Sequence, residues 1–71
     1  MTRFLRYSME RGRKIRAVLT LNGRLAQRTV LVVSYDDQTA TFSIGRSAKP
    51  VTVPLTDILG CDYARGDDGG E

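Results

Sequence analysis

The step Asn22-Gly23 lies between two stretches of alternating character, and it constrains the fold of this 71-residue chain more than any other feature. In residues 14–21 every second side chain is apolar, which is the pattern of a half-buried strand. Both central residues of a tight hairpin turn take positive φ angles, which Asn and Gly tolerate best. The pair therefore predicts a β-hairpin. Its second strand runs from Arg24 to Tyr35, long enough to bend between two parts of a sheet.

Three further short strands follow this hairpin. Asp36 to Gln38 reads as a turn, and residues 39–45 then alternate again between apolar and hydroxyl side chains. Residues 51–55 repeat the pattern, although Pro54 has no N–H to donate and marks an edge strand. A last strand is predicted over residues 60–64.

At the start of the chain the apolar side chains follow the period of a helix rather than that of a strand. Residues 2–11 read as a short helix, with Thr2 as its N-cap and Gly12 as its stop. Leu5 and Met9, four residues apart, are expected to form the narrow apolar stripe of this helix, with Phe4 and Ser8 alongside. A helix of this length is marginal alone in water, so it must pack on the strands.

These elements predict a mainly β fold: a short N-terminal α-helix followed by five sequential antiparallel strands. At this length a closed or nearly closed barrel hides most strand edges. We expect one domain over residues 1–64. Residues 65–71 are acidic and rich in glycine, and we expect them to form a disordered tail.

Cys61 is the only cysteine, and the chain has no histidine. A disulfide within the chain is excluded, and one thiol among scattered carboxylates does not make a structural metal site. The usual groups of nucleophilic and acid–base catalysis are missing, so we expect a non-enzymatic protein without a cofactor. A reduced thiol packed in the core is typical of a cytoplasmic protein.

We expect neither a signal peptide nor a membrane span. Its longest apolar run, Val30 to Val33, is far shorter than the roughly 20 residues that cross a bilayer. A core of this size rarely supplies more than roughly 3–5 kcal/mol of stability without a staple. We therefore expect the protein to be a homo-oligomer.

Basic and acidic residues are segregated along the chain. Residues 1–28 hold eight of the eleven basic side chains, whereas residues 62–71 carry four acids and one arginine. Such a basic front favours a polyanion as partner, RNA above all, and the acidic tail is expected to compete for it. The candidate nucleic-acid-binding residues are Arg3, Arg6, Tyr7, Arg11, Arg13, Lys14 and Arg16.

These residues suit that role chemically, but a purely structural role stays open. Arginine forks match phosphate oxygens, and Tyr7 offers a ring on which a base can stack. Alternatively, cations near a helix C-terminus stabilise the helix dipole and solvate the surface, and the tyrosine ring is partly buried.

In outline the chain resembles the bacterial Sm-like RNA chaperone family. The similar segments are Ile15 to Gly23, Val33-Ser-Tyr-Asp36 and Val53-Pro-Leu-Thr-Asp-Ile58. The resemblance implies an Sm-like/SH3-like barrel, RNA binding and a homo-oligomeric ring. The Lys-His pair with which that family holds RNA is absent, so its uridine pocket does not carry over, whereas a basic helix face and rim do.

The chain is also similar to the WYL domain, an Sm-like barrel of bacterial regulators, through Arg28-Thr-Val30 and the segment 53–58. This resemblance implies an alternative function: a regulatory or protein-interaction module that senses a small anionic ligand or docks on a partner protein. Its candidate ligand residues are Arg28, Arg46 and Asp57.

Overall fold

In the computed structural model, residues 2–46 and 49–67 are described, and they form one helix and one sheet. The elements are α1 (Thr2–Arg11), β1 (Ile15–Leu21), β2 (Arg24–Tyr35), β3 (Thr39–Ile44), β4 (Val51–Pro54), a single 3₁₀ turn (Leu55–Asp57) and β5 (Ile58–Tyr63). All neighbouring strands are antiparallel, in the order β4-β3-β2-β1-β5.

This arrangement confirms the mainly β fold with an N-terminal helix. Over the described residues the sheet ends at β4 on one side and at β5 on the other, with no ladder between them. Closure into a barrel therefore stays a prediction.

The β1–β2 hairpin forms where the sequence predicts it. Asn22 and Gly23 have φ angles of 52° and 76°, and Leu21 lies opposite Arg24 in the ladder. The register then continues to Ile15 opposite Val30. One face of β1 is thereby fixed toward the core and the other toward solvent.

The core lies on the face of the sheet that α1 covers. Its buried apolar side chains alternate along the strands and include Leu5 from the helix. The full set is Leu5, Ile15, Ala17, Leu19, Val30, Val32, Ala40, Phe42, Val53 and Ile58.

The helix does not bury the predicted pair. Leu5 is buried, but Met9 is 38% exposed, and the fully buried partner of Leu5 is Ser8. The hydroxyl oxygen of Ser8 accepts a hydrogen bond of 2.9 Å from the backbone N–H of Val32. The stripe is therefore rotated by one position, because a buried backbone donor needs an acceptor more than Met9 needs burial.

Two bulges bend the sheet. In β2 the register shifts between Val32 and Ser34, which leaves Val33 half exposed. In β5 the register shifts after Ile58, which lies opposite Leu19, and Gly60 then lies opposite Val18. The strand thus begins at Ile58, two residues before the predicted start, because the 3₁₀ turn already ends at Asp57.

The predicted tail is described in part. Residues 65–67 follow β5, and the backbone N–H of Asp67 donates to the carbonyl of Ala64 at 2.9 Å. The remaining tail residues, 68–71, lie outside the described residues.

Candidate nucleic-acid interface

Three aromatic rings join α1 to the end of β5. The ring of Tyr63 packs edge-to-face against Phe4, with centroids 4.9 Å apart, and against Tyr7, with centroids 5.2 Å apart. Edge-to-face contacts place a positive ring edge on a negative ring face, which favours this geometry. We call these three residues the aromatic cluster. These contacts fix the orientation of α1 relative to the sheet, and with it the side of the helix that faces outward.

Two arginines flank this cluster. The guanidinium carbon of Arg3 lies 5.0 Å from the ring centroid of Phe4, and that of Arg11 lies 5.8 Å from the centroid of Tyr7. Both separations are in the range of cation–π attraction. Two of the predicted basic side chains are thus held against rings rather than extended separately into solvent.

An acidic group from the end of the chain already contacts this surface. The Tyr7 hydroxyl donates a hydrogen bond of 2.6 Å to a carboxylate oxygen of Asp67. Desolvation and this bond raise the pKa of Tyr7, while the charges of Arg13 and Arg11 act in the opposite direction. The phenol therefore stays protonated at neutral pH and can only donate to the carboxylate. The tyrosine predicted as a stacking ring thus presents its hydroxyl to an anion, and stacking on its ring stays a prediction.

Arg16 is bound to the same end of β5. Its Nε donates to the backbone carbonyl of Tyr63 at 3.0 Å, and an Nη2 atom lies 3.4 Å from a carboxylate oxygen of Asp62. The side chains of Arg16 and Asp62 are 41% and 66% exposed, so water screens this ion pair. Arg16 both links β1 to β5 and keeps part of its guanidinium at the surface.

The remaining predicted basic residues lie nearby on the chain. Arg13 and Lys14 are exposed in the two-residue link between Gly12 and β1, and the backbone N–H of Arg13 donates to the carbonyl of Ser8 at 3.2 Å. Arg6 is exposed on α1. The seven candidates thus lie on α1, in the link and at the start of β1, and we call this set the basic face.

The residues of the alternative function lie elsewhere. Arg28 and Arg46 are exposed near one end of the β2–β3 ladder, where Val30 pairs with Ile44 and the Gly45 N–H donates to the Thr29 carbonyl at 3.4 Å. Asp57 is half-buried at the end of the 3₁₀ turn. The structure does not bring Asp57 together with the two arginines in any described contact.

A cavity opens on the solvent face of β2, β1 and β5. Its volume is about 340 Å³, and it is lined by Arg16, Val18, Gln27, Gly60, Cys61 and Asp62. We call it the outer trough. The sequence analysis found only Arg16 of this set as a functional residue. The signal that could have found the others is the strand register, which places Gln27 and Gly60 on either side of Val18.

Cys61 lies apart from any described group of metal-ligating side chains. Cys61 is half-buried, and burial raises the pKa of its thiol, so it stays protonated at neutral pH. Over residues 2–46 and 49–67, no three His, Cys, Asp or Glu side chains lie close enough to share a metal ion.

Comparison with known proteins yields no relative: no family model, no curated protein and no solved structure matches this chain. In the described part of the chain, α1 is too short and too polar to cross a membrane, and no other helix reaches that length either.

Proposed function

We propose that the protein is a non-enzymatic binding module that takes single-stranded RNA, or another polyanion, on its basic face. The observation that carries this proposal is the contact between Tyr7 and Asp67. A carboxylate oxygen lies at 2.6 Å from the Tyr7 hydroxyl, in the field of Arg11 and Arg13. Phosphate oxygens accept the same kind of hydrogen bond and favour the same field.

The electrostatic balance supports a polyanion rather than a single small anion. The chain carries a formal net charge of +3, and its pI is about 9.5. Arg3, Arg6, Arg13 and Lys14 are exposed along α1 and the link after it, where Glu10 is the one acidic side chain, so cations predominate in this stripe. A stripe of separate cations matches a string of phosphates, and each phosphate it neutralises releases condensed counterions.

We also propose that the sheet curls into an Sm-like/SH3-like barrel. In a flat five-stranded sheet the two edge strands would lie about 19 Å apart. Here β4 and β5 are joined only by the turn Leu55–Asp57, and three residues of 3₁₀ helix span about 6 Å. The bulges at Val33 and Leu59 add the twist that such curvature requires.

Self-association follows from the same two edges. Each edge strand presents backbone groups that no other described strand pairs, and only Pro54 blocks part of β4. We propose a homo-oligomer in which these edges meet. Light scattering measures the size of the particle, and the ratio of nucleic-acid to protein absorbance shows whether it carries nucleic acid. Both are measured on protein purified without nuclease, first in low and then in high salt. An oligomer that carries nucleic acid and loses it in salt is expected.

A second candidate function rests on Arg28 and Arg46, which the β2–β3 register brings to one end of the sheet. Two exposed arginines there suit a small anionic ligand or an acidic partner protein, as in a WYL-like regulatory module. A nucleic-acid-free monomer or dimer that retains one protein partner would favour this function.

The proposal is tested by removing the same number of positive charges from each of two surfaces. The double variant Arg13→Ala/Lys14→Ala removes two exposed cations from the basic face. Its matched control, Arg24→Ala/Arg46→Ala, removes two exposed cations outside it. Fluorescence anisotropy with a labelled single-stranded oligonucleotide should show weaker binding for the first variant and a salt slope lower by roughly 0.7 per lost contact. Equal losses in both variants would contradict a defined binding face.

A further inference from the structure

The outer trough has a polar end and an apolar floor. Arg16 lies opposite Asp62 in the β1–β5 ladder, and Val18 lies opposite Gly60. On the other side Val18 lies opposite Gln27 of β2. Residues directly opposite in an antiparallel ladder project from the same face of the sheet. The trough therefore combines a guanidinium, a carboxylate and a carboxamide around one valine.

The polar end is held in place by backbone contacts. The Nε of Arg16 is fixed to the Tyr63 carbonyl, and an oxygen of Asp62 accepts from the Tyr63 N–H at 2.7 Å. An arginine carries five N–H donors and a carboxylate about four acceptor positions. The contacts described for the structured residues use two donors of Arg16 and two acceptor positions of Asp62. The pair thus presents further donors and acceptors side by side.

The floor is open because residue 60 is a glycine. Gly60 does not have a positive φ angle, and a Cβ built there would meet no atom within 4 Å. Neither backbone conformation nor tight packing requires a glycine at this position. What the glycine does is leave a flat surface beside Val18, on which a planar ring can lie.

We propose that the outer trough binds a guanine base of the single strand whose phosphates lie on the basic face; this inference rests on the proposed function. Guanine presents an oxygen acceptor next to two N–H donors on its Watson–Crick edge. A guanidinium beside a carboxylate presents the complement, with Arg16 donating to the oxygen and Asp62 accepting from both N–H groups. The volume of about 340 Å³ leaves room for a purine.

The other bases fit this edge less well. Only guanine offers a carboxylate two adjacent N–H donors, whereas adenine and cytosine offer one exocyclic amine and uracil one ring N–H. With any of these bases, one carboxylate oxygen of Asp62 would receive no N–H donor from the base. Arg16 also donates to the backbone carbonyl of Tyr63, whose ring packs on Tyr7 on the other face of the sheet, so a strand bound at Tyr7 would reach the trough around the end of β5.

The test uses a labelled uridine oligomer in which one central residue is replaced by guanosine, adenosine, cytidine or inosine. Wild-type protein is expected to bind the guanosine oligomer about tenfold more tightly than the all-uridine one, the discrimination typical of a bidentate base contact. Inosine, which lacks the exocyclic amine, should lose most of this preference.

Two variants locate the preference. Asp62→Asn removes the acceptor pair, and Gly60→Val fills the floor with a residue that suits a strand. Both should bring the guanosine-to-uridine ratio of affinities close to one. Asp37→Asn, which makes the same change of charge on the exposed turn after β2, should keep the wild-type ratio.

The outcomes separate this inference from the proposed function. Salt-dependent binding of every oligomer with equal affinity for guanosine and uridine overturns the guanine site and leaves the basic face intact. A preference for adenosine or cytidine also overturns it. Binding of none of the oligomers at low salt contradicts the proposed function itself.

Discussion

The hydroxyl of Ser8 accepts a hydrogen bond from the backbone N–H of Val32, at 2.9 Å, and thereby joins helix α1 to the middle of strand β2. Ser8 is fully buried, and Val32 is 3% exposed. The bond lies beside the bulge at Val33, where the β2 ladder is irregular. The side chain thus serves as the acceptor for a buried strand amide, and it sets the rotation of the helix that carries the basic face.

Replacing Ser8 by alanine should destabilise the fold by about 1–3 kcal/mol, because the N–H of Val32 is left buried without an acceptor. Urea denaturation followed by circular dichroism measures this free energy. Ser34→Ala removes an exposed hydroxyl on the same strand and is expected to change stability by less than about 0.5 kcal/mol. Equal stabilities of the Ser8 variant and the wild type would contradict this role.

Asp36 should stabilise the β2–β3 turn in a pH-dependent way. One of its carboxylate oxygens accepts from the N–H groups of Thr39 and Gln38, at 2.7 and 2.8 Å, and these bonds lower the pKa of Asp36 below 3.8. A lowered pKa contributes stability above the unfolded value, which is lost as the pH falls through the folded value.

Thermal unfolding of wild type and Asp36→Ala across acid pH checks this contribution. The difference between the two melting temperatures should be largest near neutral pH and should disappear as the Asp36 carboxylate becomes protonated. The neighbouring Asp37→Ala serves as control. A gap of the same size at all pH values would show that the carboxylate charge is not what holds the turn.

The Tyr7 hydroxyl should lose its proton at a higher pH than that of an ordinary tyrosine. Desolvation and the hydrogen bond to Asp67 raise its pKa above 10.0. For a raised pKa the sign is opposite to that of Asp36: the stabilisation is complete below the unfolded value and is lost as the pH rises through the folded value. Ultraviolet titration should therefore show ionisation at a pH above that of an ordinary tyrosine, and this part of the curve should be lost in Tyr7→Phe. A Tyr7→Phe curve that keeps it would contradict the contact.

Asp67 should compete with RNA for the basic face. Asp67→Asn, like truncation after Ala64, is expected to tighten binding about twofold to fivefold at low salt, because it removes a carboxylate charge that occupies the Tyr7 hydroxyl and repels phosphate. This gain corresponds to about 0.4–1 kcal/mol. High salt should abolish the difference. Asp37→Asn changes the net charge equally at another place and shows how much of the gain is general. Unchanged affinity in both Asp67→Asn and the truncated chain would mean that the tail does not compete.

Local patterns predicted the elements well. Alternation in residues 14–21 and the Asn22-Gly23 turn suffice to place the hairpin, because both depend on neighbours along the chain. The predicted burial of Met9 is wrong, and hydrophobicity alone could not have shown this. The bulged strand β2 offers a backbone N–H donor at Val32, and the helix turns Ser8 toward it.

The candidate site was harder to predict. Tyr7 and Asp67 are 60 residues apart, so charge segregation indicated that acid and base would meet but not which groups. The outer trough depends on the β5 register, which a bulge shifts between Ile58 and Gly60. A strand predicted to start at Gly60 missed that shift, and with it the pairing of Gly60 with Val18.

The most direct test of the central claim is a titration of the ¹⁵N-labelled protein with a single-stranded oligonucleotide, followed by the backbone amide shifts. The largest shifts should fall on residues 3–16 and 62–67, which carry the basic face and the acidic segment that contacts it, and they should reverse on addition of salt. Shifts confined to Arg28, Arg46 and their neighbours, or no shifts at low salt, would contradict the account.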